Sequence, residues 1–252
     1  MQRDEAIKWF ITVKEQANPK IRLFCFPYAG GGASIYREWN QNMPNEIEIC
    51  AVQYPGRENR ISENPIDDFD LLVTNICEAI QHKMDLPFAL FGHSLGAKVA
   101  YEVAKRLESS NTIKPDMLFV SGARAPHFPV PNPIHHLDDS GFTKALARYQ
   151  GTPVAILENE EIMQVFLPMI RADFVLDEIF CSDMDSQIAI PIIIFAGNED
   201  KIAFSKDVQL WEKYTTENSE FIEMPGQHFF LKTSQNDLLD RIKQRLLAIL
   251  EK

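Results

Sequence analysis

Short runs of apolar residues alternate along the chain with stretches in which apolar positions recur every three or four residues. The short runs are Ile21–Phe26, Ile47–Gln53, Phe88–Phe91, Met117–Ser121, Ile192–Ala196 and Glu220–Glu223. They are mostly continuous rather than alternating and are bounded by turn residues. That pattern predicts strands covered on both faces, as in a parallel sheet. Ile66, Phe69, Val73, Ile76 and Ile80 repeat at helical spacing and predict one amphipathic helix. Ala97–Leu107 is rich in helix formers. Phe204–Tyr214 and Ser234–Glu251 carry similar stripes, the latter with Leu239, Ile242, Leu246 and Ile249 on one face. Alternating strands and helices predict an α/β fold, a doubly wound and mostly parallel central sheet flanked by helices.

One stretch breaks the alternation. Pro126, Pro129, Pro131 and Pro133 follow the fourth apolar run, and so many prolines fit neither a helix nor a central strand. Two helical stripes come next: Phe142, Ala145, Leu146 and Tyr149, then Ile162, Val165, Phe166, Met169 and Ile170, with Pro168 expected to kink the second. Residues from about 125 to 185 therefore read as a helical insertion over the sheet, a lid within a single domain spanning 1–252. Such a segment adds packing, or it covers an apolar site.

Composition narrows the function classes. The chain has 252 residues with a formal charge of −11, which argues against general affinity for nucleic acid or anionic membrane. No apolar run is long enough to span a bilayer, and the first residues lack the apolar centre of a signal peptide. Cys25, Cys50, Cys77 and Cys181 lie far apart, so they are expected to be reduced, mostly buried thiols of a cytoplasmic protein.

The chemistry concentrates at Phe91-Gly92-His93-Ser94-Leu95-Gly96-Ala97. A buried strand runs into Gly-x-Ser-x-Gly and then into a helix, the pattern of a nucleophile elbow. The turn is so tight that the residues flanking Ser94 at two positions must be tiny, hence Gly92 and Gly96. It presents the Ser94 hydroxyl at a helix N-terminus, where negative charge is favoured. Serine needs a base, and in this type of fold the chain order is serine, acid, histidine. His82 and His93 precede Ser94, and His93 should project elsewhere. His127, His135 and His136 lie in the Pro-rich or lid segment. His135 and His136 with Asp138 and Asp139 could suggest a metal, but a solvated loop accounts for them, and no metal is expected. His228, in the loop after the last strand, is the candidate base. Asp200 is the candidate acid, with Glu199 in reserve; both follow the strand Ile192–Ala196. Asp173, Asp177, Asp183 and Asp185 read as charges on the lid surface.

An oxyanion hole needs two N–H donors. Leu95 supplies one, and Ala29, beside Gly30-Gly31-Gly32 after the first long strand, supplies the other. A phosphate-binding reading of those glycines fails on spacing. Tyr28, Phe142, Phe166, Met169 and Phe229 are candidates to line the substrate site under the lid.

Together Phe-Cys-Phe-Pro-Tyr-Ala-Gly-Gly-Gly, Val-Gln-Tyr-Pro-Gly-Arg-Glu-Asn-Arg, Phe-Gly-His-Ser-Leu-Gly-Ala and Pro-Gly-Gln-His-Phe-Phe resemble the type II thioesterases of nonribosomal peptide and polyketide pathways. Gly151-Thr152-Pro153, Pro168 and Arg171-Ala172-Asp173 also look like that family. The likeness runs from about Ile21 to Glu251; Met1–Lys20 lies outside it, and Leu95 stands where Met is common. The resemblance implies an α/β-hydrolase fold with a triad of Ser94, Asp200 and His228. It implies hydrolysis of misprimed or stalled acyl groups on the phosphopantetheine arm of carrier domains, by a monomer with no cofactor of its own. A medium-chain acyl thioesterase, or an esterase acting on small free esters, is the alternative. Arg57, Arg60, Arg124 and Lys201 would meet near the carboxyl ends of the strands and could face an acidic carrier domain; each could equally be an ordinary surface charge or pairing partner. An imidazole base must be neutral, so activity should fall below about pH 6.5.

Overall fold

The computed structural model describes residues 1–110, 114–149, 151 and 154–251. Among them, seven strands form one sheet in the order β1-β3-β2-β4-β5-β6-β7. These are β1 (Phe10–Thr12), β2 (Ile21–Phe26), β3 (Ile47–Val52), β4 (Phe88–His93), β5 (Met117–Ser121), β6 (Ile192–Gly197) and β7 (Ser219–Met224). β2 to β7 pair in parallel, and β1 lies antiparallel on the outer edge of β3. The six short runs are these parallel strands; five are buried on both faces as expected, but β7, at the edge of the sheet, is exposed at Ser219, Glu220 and Glu223. β1 was not expected; three residues are too few to show a period.

The helices are α1 (Arg3–Ile7), α2 (Phe69–Ile80), α3 (Leu95–Ser109), α4 (Asp139–Leu146), α5 (Val154–Leu157), α6 (Glu160–Ile179), α7 (Ser205–Gln209), α8 (Phe230–Thr233) and α9 (Gln235–Leu250). The stripe that begins at Ile66 becomes a helix only from Phe69, because the Asp68 carboxylate caps it through the Leu71 N–H at 2.9 Å. The segment 204–214 divides into α7 and a 3-10 turn over Leu210–Tyr214.

Alternate strand residues feed opposite faces of the sheet, as a two-residue period requires. Phe24, Leu90, Leu118, Val120 and Ile194 pack with α2 and α3 on one side. Leu23, Phe91, Phe119, Ile193 and Phe195 pack with α9 on the other. This is the layered arrangement of an α/β-hydrolase. Register aligns the carboxyl ends: Phe26 pairs with Gly92, His93 with Ser121, and Gly197 with Met224. Loops leaving those strands therefore meet at one rim.

Between β5 and β6 the chain forms α4, α5 and α6, with an apolar cluster of its own around Ile134, Phe142, Leu146, Met163 and Phe174. The expected second stripe is only half realised. Met169 and Ile170 are buried, but Ile162 and Val165 are 38% and 60% exposed. The first turns of α6 leave one side of this stripe in water, whereas its later turns pack on the body through Leu176 and the buried Asp173. α6 continues through Pro168, whose missing N–H leaves the Gln164 carbonyl without its helical donor. Thr152 and Pro153 of the family-like lid motif lie outside the described residues. Among the described residues no helix is long and apolar enough to cross a membrane.

Candidate active site

β4 delivers Ser94 in a backbone conformation that non-glycine residues seldom adopt, φ 54° and ψ −121°. Such a conformation costs on the order of 1–3 kcal/mol and persists only where its surroundings enforce it. The Ser94 N–H donates to the Ser121 carbonyl at 2.8 Å, tying the turn to β5. A Cβ on Gly92 would lie 2.1 Å from the Gly96 carbonyl oxygen, and one on Gly96 would lie 2.1 Å from that of Phe26. The glycines are thus what lets α3 start directly against the end of β2.

That closeness sets the loop after β2 beside the first turn of α3. Leu95 is the first residue of α3 and is buried. An N–H in the first helical turn has no acceptor within its helix. Among the described residues the Ala29 N–H also donates to no protein acceptor. Leu95 follows the serine directly, and Ala29 stands in the loop whose start, at Phe26 and Pro27, meets the first turn of α3.

Asp200 follows β6 and is almost fully buried. One of its oxygens accepts the N–H groups of Ile202 at 2.7 Å and Ala203 at 3.0 Å. The other lies 2.8 Å from His228 Nδ1. The loop thus fixes the carboxylate, and the carboxylate fixes the ring. Glu199 is exposed, so the two adjacent carboxylates separate by burial. Ser94 and His228 line one cavity of about 290 Å³. No hydrogen bond joins the Ser94 hydroxyl to the ring in this state; such bonds often tighten only when substrate is bound. Ala123, Val130, Pro131, Ile134, Tyr149 and Ile202 give the cavity an apolar wall, and Arg124, Arg148 and Lys201 lie at it as well. A second cavity of about 550 Å³ shares Arg148, Tyr149, Lys201, Ile202 and His228 and is also lined by Phe229.

Tyr28 is buried against Phe229, ring centroids 5.0 Å apart, next to the candidate base. Phe142 does not line the cavity at Ser94. It is fully buried in the lid's own cluster, edge-on to Phe174 and beneath the Arg171 guanidinium. Met169 belongs to the same cluster and Phe166 packs against it, so neither lines that cavity.

His93 projects away from the serine, beneath the site. Its Nδ1 lies 2.9 Å from the Ser121 hydroxyl, and the whole ring is buried. Burial, reinforced by the adjacent His228, holds its pKa well below the ordinary imidazole value. His135 and Glu178 are linked at 2.6 Å, Asp138 caps α4, and Asp139 pairs with Arg171. His127 meets the Tyr214 hydroxyl at 3.0 Å. Among the described residues no group of three or more His, Cys, Asp or Glu side chains could hold a metal ion. Burial raises the Cys25 thiol well above its usual range and pushes Cys50 and Cys77 up to about 12, which disfavours any thiolate nucleophile there. Of the four thiols expected to be mostly buried, Cys25 and Cys50 are buried, Cys77 is half-buried and Cys181 is exposed.

Asp173, read from the sequence as a lid-surface charge, is buried, and so is Arg57, for which a partner-facing, surface or pairing role was open. Asp173 of α6 accepts both prongs of the Arg57 guanidinium, at 2.6 and 2.7 Å. Arg60 is buried too, bonded to the Gln53 carbonyl and Glu63 and lying over the Trp9 ring. Neither arginine is free to meet a partner, whereas Arg124 and Lys201 do reach the cavity. Lys98 and Asp177, paired at 2.8 Å, form another lid-to-body link in the cavity wall. These pairings join residues up to 116 positions apart, so no local pattern announces them.

Residues 21–246 match the family model described as "Thioesterase domain". The chain is 36% identical over 244 residues to the gramicidin S biosynthesis protein GrsT of Aneurinibacillus migulanus, covering 96% of this chain and 95% of that one. It is 33% identical over 226 residues to the medium-chain S-acyl fatty acid synthase thioesterase of Rattus norvegicus, covering 86% and 84%. Among solved structures it resembles the RedJ thioesterase of the prodiginine pathway of Streptomyces coelicolor. That match has a TM-score of 0.84 and 34% identity, over 93% of this chain and 94% of that one.

Proposed function

The chain belongs to the thioesterase family, and from that premise we propose that it is a type II editing thioesterase: it removes aberrant or stalled acyl groups from phosphopantetheine-bearing carrier domains of a nonribosomal peptide or polyketide synthetase. The observation that carries this reading is the buried Asp200–His228 pair, which opens with Ser94 onto one cavity. The relatives from antibiotic pathways support the choice of substrate. The medium-chain reading has weaker support, since the medium-chain relatives are 32% and 33% identical against 36% for the gramicidin S biosynthesis protein.

The proposed mechanism uses this chain's own groups. Asp200, acting as an acceptor, keeps the proton on His228 Nδ1 and leaves the Nε2 lone pair for the serine. His228 takes the Ser94 proton as Oγ attacks the thioester carbonyl. The Ala29 and Leu95 N–H groups receive the developing oxyanion, each worth roughly 3 kcal/mol in such sites. The C–S bond then breaks. The pantetheine sulfur, whose thiol has a pKa near about 8.5, leaves with little need of protonation, and the imidazolium supplies the proton that completes the thiol. Water, giving its proton to His228, next attacks the acyl-serine; the acid leaves and the imidazolium returns its proton to Oγ. No metal or organic cofactor enters these steps.

The test offers acyl-carrier protein and acyl-N-acetylcysteamine to wild type and Ser94→Ala. Wild type should release the acid from both, with the carrier-bound substrate preferred, and Ser94→Ala should do neither above background. A preference for p-nitrophenyl esters over every carrier-bound acyl group would instead support the small-ester alternative.

A further inference from the structure

The Arg57–Asp173 pair makes contacts that stability alone does not call for. Burying a charge pair is costly, and an apolar pair of similar volume often serves a core as well or better. Besides a bond from Arg57 Nε to the Pro55 carbonyl at 3.3 Å, the pair directs its remaining hydrogen bonds to one short stretch of main chain. The Asp173 oxygen that accepts Arg57 Nη1 also accepts the Gly30 N–H, at 2.7 Å. Arg57 Nη1 donates to the Gly31 carbonyl at 2.9 Å. Consecutive residues of the loop after β2 are therefore held through an N–H and a C=O by opposite members of one ion pair. Gly30, at φ 77°, is where the chain turns. Ala29 immediately precedes it.

Other contacts brace the clamp. Gln53 accepts the Ala33 N–H at 2.7 Å and donates to the Arg57 carbonyl at 3.0 Å. The Tyr54 ring lies 5.2 Å from the Arg57 guanidinium carbon. A Cβ on Gly30 would lie 3.7 Å from Ile170 of α6. The loop is thus gripped by the segment after β3 on one side and by the lid helix on the other.

We propose that Arg57 and Asp173 are positioning residues for the oxyanion hole: their buried pair fixes Gly30–Gly31, so aims the Ala29 N–H, and by standing on α6 makes the hole depend on a seated lid. The inference rests on the thioesterase reading above and on Ala29 as an oxyanion donor. Neither residue touches the reacting atoms. The effect is on the direction of a donor, and small displacements at a reacting centre are costly in rate.

The experiment uses the full chain in three forms: wild type, Asp173→Asn, and the apolar replacement Arg57→Met with Asp173→Leu. Each is measured for kcat and KM on an acyl-N-acetylcysteamine. Each is also titrated with two acyl probes of equal length. One is a trifluoromethyl ketone, which adds Ser94 and places an oxyanion in the hole; the other is a thioether analogue, which cannot. For Asp173→Asn, kcat should fall on the order of tenfold to a hundredfold with KM unchanged. Trifluoromethyl ketone affinity should fall in the same proportion, and thioether affinity should hold. The double variant removes both buried charges, so its melting temperature should recover toward wild type while kcat stays low. A purely structural pair would give the opposite: both probes weakening together, or kcat recovering with stability in the double variant. Either result overturns the proposal, as does unchanged kcat in a folded Asp173→Asn. If wild type itself neither hydrolyses the thioester nor captures the ketone, the thioesterase reading fails, and the positioning role with it.

Discussion

At the residue scale, two neighbouring histidines, ring centroids 5.1 Å apart, have different surroundings. His228 shares a hydrogen bond with a carboxylate and opens on the cavity, whereas His93 is fully buried beside the Ser121 hydroxyl. Replacing Asp200 by Asn keeps the shape but favours the wrong imidazole tautomer. Asp200→Asn should lower kcat by about 10³- to 10⁴-fold with little change in melting temperature, checked by steady-state hydrolysis and calorimetry. His93 makes a different prediction. Its pKa in the folded protein lies below the ordinary 6.5, so the unfolded chain takes up the proton more readily than the native one. Its contribution is therefore fully present above about pH 6.5 and is lost as the pH falls toward the depressed native value. Thermal denaturation from about pH 7.5 to 5 should show wild type losing stability, and His93→Gln, which cannot titrate, losing less over that window. Equal losses would remove His93 from that account.

At the scale of elements, the strand-elbow-helix unit was the part most legible in the sequence. Gly92 and Gly96 are required because a methyl group on either would fall 2.1 Å from a main-chain oxygen. Gly96→Ala should cost about 3 kcal/mol or more, or leave the protein insoluble, because backbone cannot yield as a side chain can; urea denaturation measures it. The parallel strands β2 to β6, buried on both faces, were legible because their apolar runs are continuous, unlike the edge strand β7. Other elements were not. β1 is too short to show a period. Ile162 and Val165 follow the helical spacing of Met169 but lie in water, because spacing records which residues share a face, not whether anything covers it. Asp173 and Arg57 belong to separate elements, α6 and the loop after β3, and their pairing exists only once the lid has folded over that loop. Chain order and strand ends pointed to Ser94, Asp200 and His228, and the Asp200–His228 contact bears out their nearness, whereas nothing local pointed to the groups that hold Gly30 and Gly31.

At the scale of the whole molecule, the chain carries a formal charge of −11. Arg57 and Arg60 are consumed inside it, while Arg124, Arg148 and Lys201 remain at the cavities beside Ser94 and His228. A partner carrier domain that is itself acidic must approach against this overall charge. Raising salt from about 20 to about 200 mM should therefore lower KM for an acyl-carrier substrate by a few-fold through screening, and leave KM for acyl-N-acetylcysteamine unchanged. A KM for the carrier substrate that rises with salt would mean that local attraction at the cavity mouth outweighs the global repulsion. The central claim is that strands far apart in the chain bring one serine under a histidine base to form an acyl-enzyme. Its most direct measurement is acid quenching of wild type during turnover of an acyl-N-acetylcysteamine, followed by peptide mass spectrometry. The account expects the acyl mass on the peptide containing Ser94 and its disappearance in Ser94→Ala. An acyl group found on another residue, or undiminished turnover by Ser94→Ala, would contradict it.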